Sequence, residues 1–175
     1  MNTPNDHPTR RVSVIVNGTL FLREIECRKH LVDFLRDDCG MKGSHLGCEH
    51  GVCGACTVRL DGRIVRGCLV LAAMADGHSV ETVETPAPSP RLRALQDAFI
   101  EHNALQCGYC TPGMLMAVLD LVERRPQANR EQVREWISGN YCRCTGYHAI
   151  VDAVCAVLDQ QRAGRFAANA VEARA

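Results

Sequence analysis

The chain has 175 residues, a length that allows one domain or two small ones. Its 20 basic and 20 acidic residues give a formal net charge of zero, and neither half is strongly basic. This balance argues against nucleic-acid binding driven by phosphate charge. Hydrophobic residues make up 46%, enough for a core. No apolar run approaches the roughly 18 residues of a membrane-spanning helix.

The first half of the chain predicts a small mixed sheet crossed by one helix. Asn-Gly at 17–18 and Asp-Gly at 61–62 each lie between short β-branched runs, a pattern typical of two-residue hairpins. Apolar spacing predicts a short helix over 31–39, and the Gly-rich stretch 40–56 is expected to be a loop. A last strand is expected over 79–83.

The second half changes to a helical period after a Pro-rich linker at residues 85–90. Apolar stripes within residues 91–162 predict four short amphipathic helices, which favours a small bundle. Ser89-Pro90 and Thr111-Pro112 have the residue types that begin helices. Residues 163–175 are Ala-rich, a composition that allows disorder.

Cysteine is the unusual residue, with 11 in the chain. The pair Arg10-Arg11 is followed by only five residues before Asn17-Gly18, too few for the apolar region of a secretory signal. We therefore expect a reducing, cytoplasmic location. In that compartment, clustered cysteines indicate metal ligands more often than disulfides.

The first cysteine group has the spacing C-x4-C-x2-C, followed after 11 residues by a fourth cysteine. Its first three members match the spacing of plant-type ferredoxins, which hold a 2Fe–2S cluster. Interspersed glycines would let the loop fold around an anionic cluster and point amide N–H groups at the sulfurs. The predicted ligands are Cys48, Cys53, Cys56 and Cys68.

The second cysteine group consists of two pairs on separate turns between predicted helices. Cys107 and Cys110 form a C-x2-C pair, and Cys142 and Cys144 form a C-x-C pair 31 residues later. The spacing predicts that Cys110 and Cys144 each lie at a helix N-terminus, where the helix dipole favours a bound anion. These four thiolates are the predicted ligands of a second cluster.

Structural zinc is the alternative for both groups, because it also takes four thiolates. Zinc is less favoured for the first group, because zinc ribbons usually use two C-x2-C knuckles. For the second group, zinc is a stronger alternative to a 2Fe–2S cluster. Of the remaining cysteines, Cys155 lies on an apolar helical stripe and is expected to be a core residue. Cys27 and Cys39 have no partner at ligand spacing and receive no function.

Other polar and aromatic residues, most of them near the cysteines, are predicted to have structural roles. His45 and His50 are predicted to be loop surface, because four cysteines already complete the ligand set. Tyr109 and Tyr147 are assigned packing or hydrogen-bonding roles, and Trp136 is expected in the helical core.

Three motifs in order carry a family resemblance. They are GCEHGVCGACTV at 47–58, QCGYCTPG at 106–113 and CRCTGY at 142–147. The chain resembles, over about residues 10–160, the small iron–sulfur subunit of the xanthine oxidase family of molybdenum hydroxylases. All eight ligand positions of that family are cysteine in this sequence.

The resemblance implies an α+β chain with two cluster-binding domains. Residues 10–84 would form a β-grasp, plant-type ferredoxin-like domain and residues 91–162 a helical domain built as a four-helix bundle, each with one 2Fe–2S cluster. The family also implies a large subunit with a molybdenum–pterin cofactor and a medium subunit with FAD. Gln106 and Cys144 match the positions that lie beside the pterin in the family.

The function implied is single-electron transfer from molybdenum, through the helical-domain cluster and then the ferredoxin-domain cluster, to FAD. The chain would be the iron–sulfur subunit of an oxidoreductase, with substrate chemistry on the large subunit. A hetero-oligomer is expected, and a dimer of heterotrimers is compatible with the family. The alternative is a free-standing ferredoxin-like carrier or redox-sensing protein, which the first 86 residues alone would support. The helical half argues against it.

Overall fold

The first half of the chain forms a five-stranded mixed sheet. The computed structural model describes residues 7–166. The strands are β1 (Thr9–Val16), β2 (Thr19–Glu26), β3 (Thr57–Leu60), β4 (Arg63–Arg66) and β5 (Ser79–Glu81). They lie in the order β2-β1-β5-β3-β4, in which β1 and β5 run parallel and the other neighbours run antiparallel.

Both predicted hairpins are present. Asn17 and Gly18 join β1 to β2 with φ angles of 50° and 84°, and Asp61 and Gly62 join β3 to β4 with 47° and 76°. Two consecutive positive φ angles are what a two-residue turn needs to match the twist of the strands, and they explain the choice of Asn-Gly and Asp-Gly.

One short helix crosses the sheet and closes its core. This helix, α1 (Leu31–Asp33), continues as a π-helical turn over Phe34–Asp38. Phe34 and Leu35 are fully buried against alternate side chains of β1. The chain between this helix and β3 is irregular, as expected, and short 3-10 turns cover Gly67–Leu69 and Ala72–Ala75 before β5.

The described part of the second half contains four further helices that share one apolar core. They are α2 (Pro90–Glu101), α3 (Thr111–Arg124), α4 (Arg130–Ile137) and α5 (His148–Arg162). Helix α2 packs on α3 and α5, and α4 packs on α3 and α5. Helix α3 also lies against β3 and β4, so it joins the two halves. Trp136 lies at the edge of the core, where its indole N–H donates to the Ala117 carbonyl at 2.9 Å.

One helix start agrees with the sequence expectation and another differs from it. Ser89 caps α2, accepting from Leu92 N at 3.2 Å, and Pro90 is the first helical residue, as predicted, so the last residue of the Pro-rich segment belongs to the helix. Helix α5 begins only at His148, because Gly146 and Tyr147 have φ angles of 64° and 69°. Helical backbone needs negative φ, and these two residues therefore delay the start.

Cys155 and residues 163–175 can also be compared with their predictions. Cys155 packs at the margin of the helical core, and Phe166 also contacts that core. The predicted disorder of residues 163–175 falls mostly outside the described part of the chain. None of the helices within residues 7–166 has the length and apolarity needed to cross a bilayer.

Candidate metal centres

The structure brings the first cysteine group together between the loop and the turn that follows β4. Cys48, Cys53 and Cys56 lie on the loop before β3, and Cys68 lies in the turn over Gly67–Leu69. Cys56 and Cys68 are 2% and 8% exposed, and the nearby Cys56 thiol adds to the effect of burial in raising the pKa of Cys68. Cys48 and Cys53 are half-buried and form the second pair. The group thus consists of one deep pair and one shallower pair.

Backbone N–H groups of the loop point at the first group's sulfurs. The amide of Cys53 donates to Cys48 Sγ at 3.4 Å, and this donor, with others from the loop, lowers the pKa of Cys48 to about 6. Burial raises the pKa of Cys68 to about 11. Because a metal ligand must be a thiolate, cluster binding would release a proton from Cys68.

The second cysteine group is assembled from two turns. Cys107 and Cys144 are exposed, and their Sγ atoms lie 3.5 Å apart. Cys110 and Cys142 form the deeper pair, with Cys142 9% exposed. Cys110 directly precedes α3, as predicted, and so lies at a helix N-terminus. The expectation that Cys144 also begins a helix is wrong, because α5 starts four residues later.

Local donors also favour thiolates in the second group. Burial opposes ionisation of Cys142, but Thr145, whose Oγ1 lies 3.1 Å from Cys142 Sγ, leaves its pKa lowered. The amide of Tyr109 lowers the pKa of Cys107. Burial raises the pKa of Cys110 to about 12, so this thiol too would give up a proton on metal binding.

The pairwise arrangement fits a two-iron cluster. Each iron of such a cluster takes two thiolates, and tetrahedral metal–sulfur bonds of about 2.3 Å place two thiolate sulfurs roughly 3.8 Å apart. The 3.5 Å between Cys107 and Cys144 is close to that separation. Within residues 7–166, no three His, Cys, Asp or Glu side chains are grouped as ligands of a single metal ion. The fit therefore depends on the pairs.

Gln106, the other predicted cofactor-binding residue, lies at the exposed edge of the second group. Its side-chain Nε2 donates to the Cys144 carbonyl at 3.0 Å. The two residues matched to the family's pterin contacts are thus neighbours on one exposed surface, together with Cys107.

The two cysteine groups meet at a direct backbone contact that the sequence did not predict. The amide of Tyr141 donates to the Cys53 carbonyl at 2.8 Å, and Asn140 Nδ2 donates to the next carbonyl, that of Gly54, at 3.1 Å. A Cβ at Gly113 would overlap Gly54 O and lie 2.9 Å from Ala55 O. A glycine in the first turn of a helix was the one signal of this close approach.

His45 differs from its prediction as plain loop surface. Its ring stacks on Tyr109 with centroids 4.6 Å apart, and its Nδ1 donates to the Tyr109 carbonyl at 2.8 Å. The Tyr109 hydroxyl donates to the Leu46 carbonyl. This stacked pair is a second contact between the two cysteine-bearing segments. His50 is exposed, in agreement with its prediction.

Comparisons with known proteins agree with two cluster-binding regions. Residues 14–82 match the family described as "2Fe-2S iron-sulfur cluster binding domain", and residues 80–155 match "[2Fe-2S] binding domain". The nicotine 6-hydroxylase small subunit of Paenarthrobacter nicotinovorans is 49% identical over 154 residues, which is 88% of this chain and 93% of that subunit.

Two further relatives have the same extent. The caffeine dehydrogenase subunit gamma of Pseudomonas sp. (strain CBB1) is 49% identical over 83% of this chain and 89% of that subunit. A chain in the crystal structure of quinoline 2-oxidoreductase from Pseudomonas putida 86 is 47% identical, with a TM-score of 0.81 over 89% of this chain and 98% of that chain. The protein therefore belongs to the small iron–sulfur subunits of the xanthine oxidase family of molybdenum hydroxylases, which are parts of oxidoreductase complexes.

Proposed function

We propose that the chain is the electron-transfer subunit of a multi-subunit molybdenum hydroxylase. It holds two 2Fe–2S clusters and relays single electrons from a molybdenum–pterin site to FAD. Cys107, Cys110, Cys142 and Cys144 hold the cluster next to the pterin. Cys48, Cys53, Cys56 and Cys68 hold the cluster that serves the flavin. In this proposal the first half is a β-grasp domain and the second a four-helix bundle.

The proposal depends on one observation above the others, the way the two cysteine groups are joined. In the second group, Cys107 Sγ and Cys144 Sγ lie 3.5 Å apart, as two ligands of one iron in a two-iron cluster require. The amide of Tyr141, beside Cys142, donates directly to the carbonyl of Cys53. A single hydrogen bond thus links a ligand of one group to the neighbour of a ligand in the other. Such a short connection suits two cofactors that exchange electrons.

The exposed edge of the second group favours a complex over a free-standing carrier. Cys107, Cys144 and Gln106 are all exposed on it. Cluster ligands open to water are vulnerable to oxidation and exchange, and a partner chain seated here would protect them. We place the large, molybdenum-binding subunit on this edge, with Gln106 and Cys144 toward its pterin.

The assembly and location follow from the same argument. Relatives are named as subunits of hydroxylase and dehydrogenase complexes. We propose a cytoplasmic hetero-oligomer with a large molybdenum subunit and a medium FAD subunit. This chain supplies cluster ligands, their hydrogen-bond donors and the contact between the two sites, and the partner chains supply the substrate chemistry.

Metal and sulfide analysis of the purified protein tests the proposal. We expect about four iron and four acid-labile sulfide per chain, a red-brown colour and two distinguishable EPR signals after reduction. Molybdenum and flavin should co-purify on larger chains. Stoichiometric zinc without iron would refute the proposal, and two iron per chain would refute its second cluster.

A further inference from the structure

We propose that Asn140 is a positioning residue that fixes the two cysteine groups at one separation and orientation, and so sets the electronic coupling between the clusters. This inference rests on the proposed function, because coupling presupposes two clusters. Asn140 lies in the turn after α4, two residues before Cys142, and is 3% exposed. Within residues 7–166, six polar or charged residues are buried, and Asn140 is one of them.

The side-chain amide of Asn140 uses both its ends on the first half of the chain. Nδ2 donates to the Gly54 carbonyl at 3.1 Å and to Thr57 Oγ1 at 3.4 Å. Oδ1 accepts from Arg66 Nη2 at 3.2 Å. A buried amide that is bonded at both ends has one allowed orientation, and its partners have one allowed place relative to it.

The partners of Asn140 are themselves held by one another. Thr57 Oγ1 donates to Gly54 O at 2.6 Å and accepts from Arg66 Nη1 and Asn140 Nδ2. Arg66 Nη2 also donates to the Gly139 carbonyl at 2.7 Å. The hydroxyl of Thr57 therefore uses its single proton and both lone pairs inside the network. A fully satisfied network of this kind is rigid, since moving one member breaks several bonds.

The network holds the segments that carry the cysteines. Gly54 lies between Cys53 and Cys56, and its carbonyl and that of Cys53 bind consecutive residues, Asn140 and Tyr141. A Cβ at Gly54 would lie 2.6 Å from Asn140 Nδ2, so the Asn140 side chain packs too closely on Gly54 to leave room for a larger residue. The two loops are thus fixed at two successive peptide groups, and the Asn140 side chain makes one of these contacts.

A different contact, distant from the cysteines, also holds the two halves of the chain together. Arg59 on β3 forms an ion pair with Glu123 on α3, away from the cysteine loops. Loss of that pair should loosen the interface without changing the local geometry at Cys53 and Cys142. The two positions therefore allow a positioning role to be separated from a merely structural one.

The test uses the intact complex carrying Asn140→Asp. This change keeps the size and the Arg66 contact but replaces the Nδ2 donor by an acceptor facing Gly54 O and Thr57 Oγ1. After full reduction, low-temperature EPR reports each cluster's own signal and the spin–spin splitting between them. We expect both signals to persist and the splitting to be lost. Asn103→Asp, the same change at an exposed residue, should leave the splitting intact. Glu123→Gln should lower the unfolding temperature and also leave the splitting intact.

Each outcome decides between the inference and the proposed function. Unchanged splitting in Asn140→Asp with both signals present overturns the inference and leaves the proposed function standing, as does a wild-type complex with two signals and no splitting. If Asn140→Asp does not fold, Arg66→Lys is judged by the same criterion, since an ammonium cannot hold Thr57, Gly139 and Asn140 together. Failure of both variants to bind iron, while Glu123→Gln binds it, overturns positioning in favour of folding. Absence of iron in the wild type refutes the proposed function itself.

Discussion

The two cysteine groups have the same number of thiols but differ in the segments that supply them and in their exposure to solvent. In the first half, three cysteines share one loop and the fourth comes from the turn after β4, with two of the four almost fully buried. In the second half, two separate turns each supply a pair, and Cys107 and Cys144 are exposed. The first site is thus largely closed by its own chain, whereas the second is open on one side.

This difference indicates how far the geometry of each cysteine group depends on contacts between the two halves of the chain. In the loop site, the turn that carries Cys68 is bonded directly to the loop, since the Gly67 amide donates to the Cys56 carbonyl at 3.0 Å. The helical site depends on the placement of α3 and on contacts with the first half. Changes at the interface between the halves should therefore affect the helical site more than the loop site.

Replacing one ligand in each group should have the largest effect. Cys48→Ser should remove the cluster of the loop site, and Cys110→Ser that of the helical site, because serine is a poor substitute for a thiolate ligand. Iron should fall from about four to about two per chain in each variant. EPR of the reduced complex should show loss of one signal, and a different one in each variant.

Cys155→Ser provides the matched control, because Cys155 lies at the edge of the helical core and in neither group. It should retain both signals. If Cys48→Ser and Cys110→Ser abolished the same signal, or neither, the division into two groups would be wrong.

Gly113→Ala should be the most damaging change at the interface. Helix propensity alone predicts stabilisation by up to about 1 kcal/mol at this position in α3. The added Cβ would instead overlap the Gly54 carbonyl, which is backbone and cannot move aside. We expect a net loss of about 3 kcal/mol in the free energy of unfolding, measured by denaturant titration, with weaker binding of the helical cluster. A variant as stable as the wild type would show that the halves do not meet at this point.

The sequence predicted the hairpins and the helices well because those signals are local. Asn17-Gly18 requires only its own two residues to form a turn, and Thr111-Pro112 does begin α3. Cysteine spacing likewise predicted the two groups that the structure brings together, and their role as cluster ligands stays a prediction. Their spacing could not show that Asn140 or Arg66 contacts the other half, because such contacts depend on how distant segments pack. The sequence did not predict the start of α5, because Tyr147 has a left-handed backbone conformation that is not expected for a residue other than glycine.

Glu123→Gln tests the attachment at the far end of α3. Arg59 is 8% exposed and keeps only a longer contact to Glu81, 3.7 Å, once the Glu123 charge is removed. Because a buried cation would be left less well paired, we expect a loss of about 2 kcal/mol in the free energy of unfolding. Thermal or denaturant unfolding measures it.

The exposed Glu135 on α4 offers a control for the same substitution. Glu135→Gln should change the free energy of unfolding by less than about 0.5 kcal/mol. Equal effects of the two variants would mean that the Arg59 pair does not stabilise the interface.

The smallest effect is expected at the outer contact between the two cysteine-bearing segments. Tyr109→Phe keeps the stack on His45 but removes the hydroxyl that donates to the Leu46 carbonyl. A single hydrogen bond at a half-exposed residue contributes about 1 kcal/mol at most. Tyr109 lies between Cys107 and Cys110, so this loosening should act on the open site. Iron loss to a chelator from the isolated chain should accelerate for the helical cluster and not for the loop cluster. Tyr141→Phe, at another exposed tyrosine, should leave both rates unchanged. Equal acceleration at both clusters would contradict the view that the helical site depends more than the loop site on contacts between the halves.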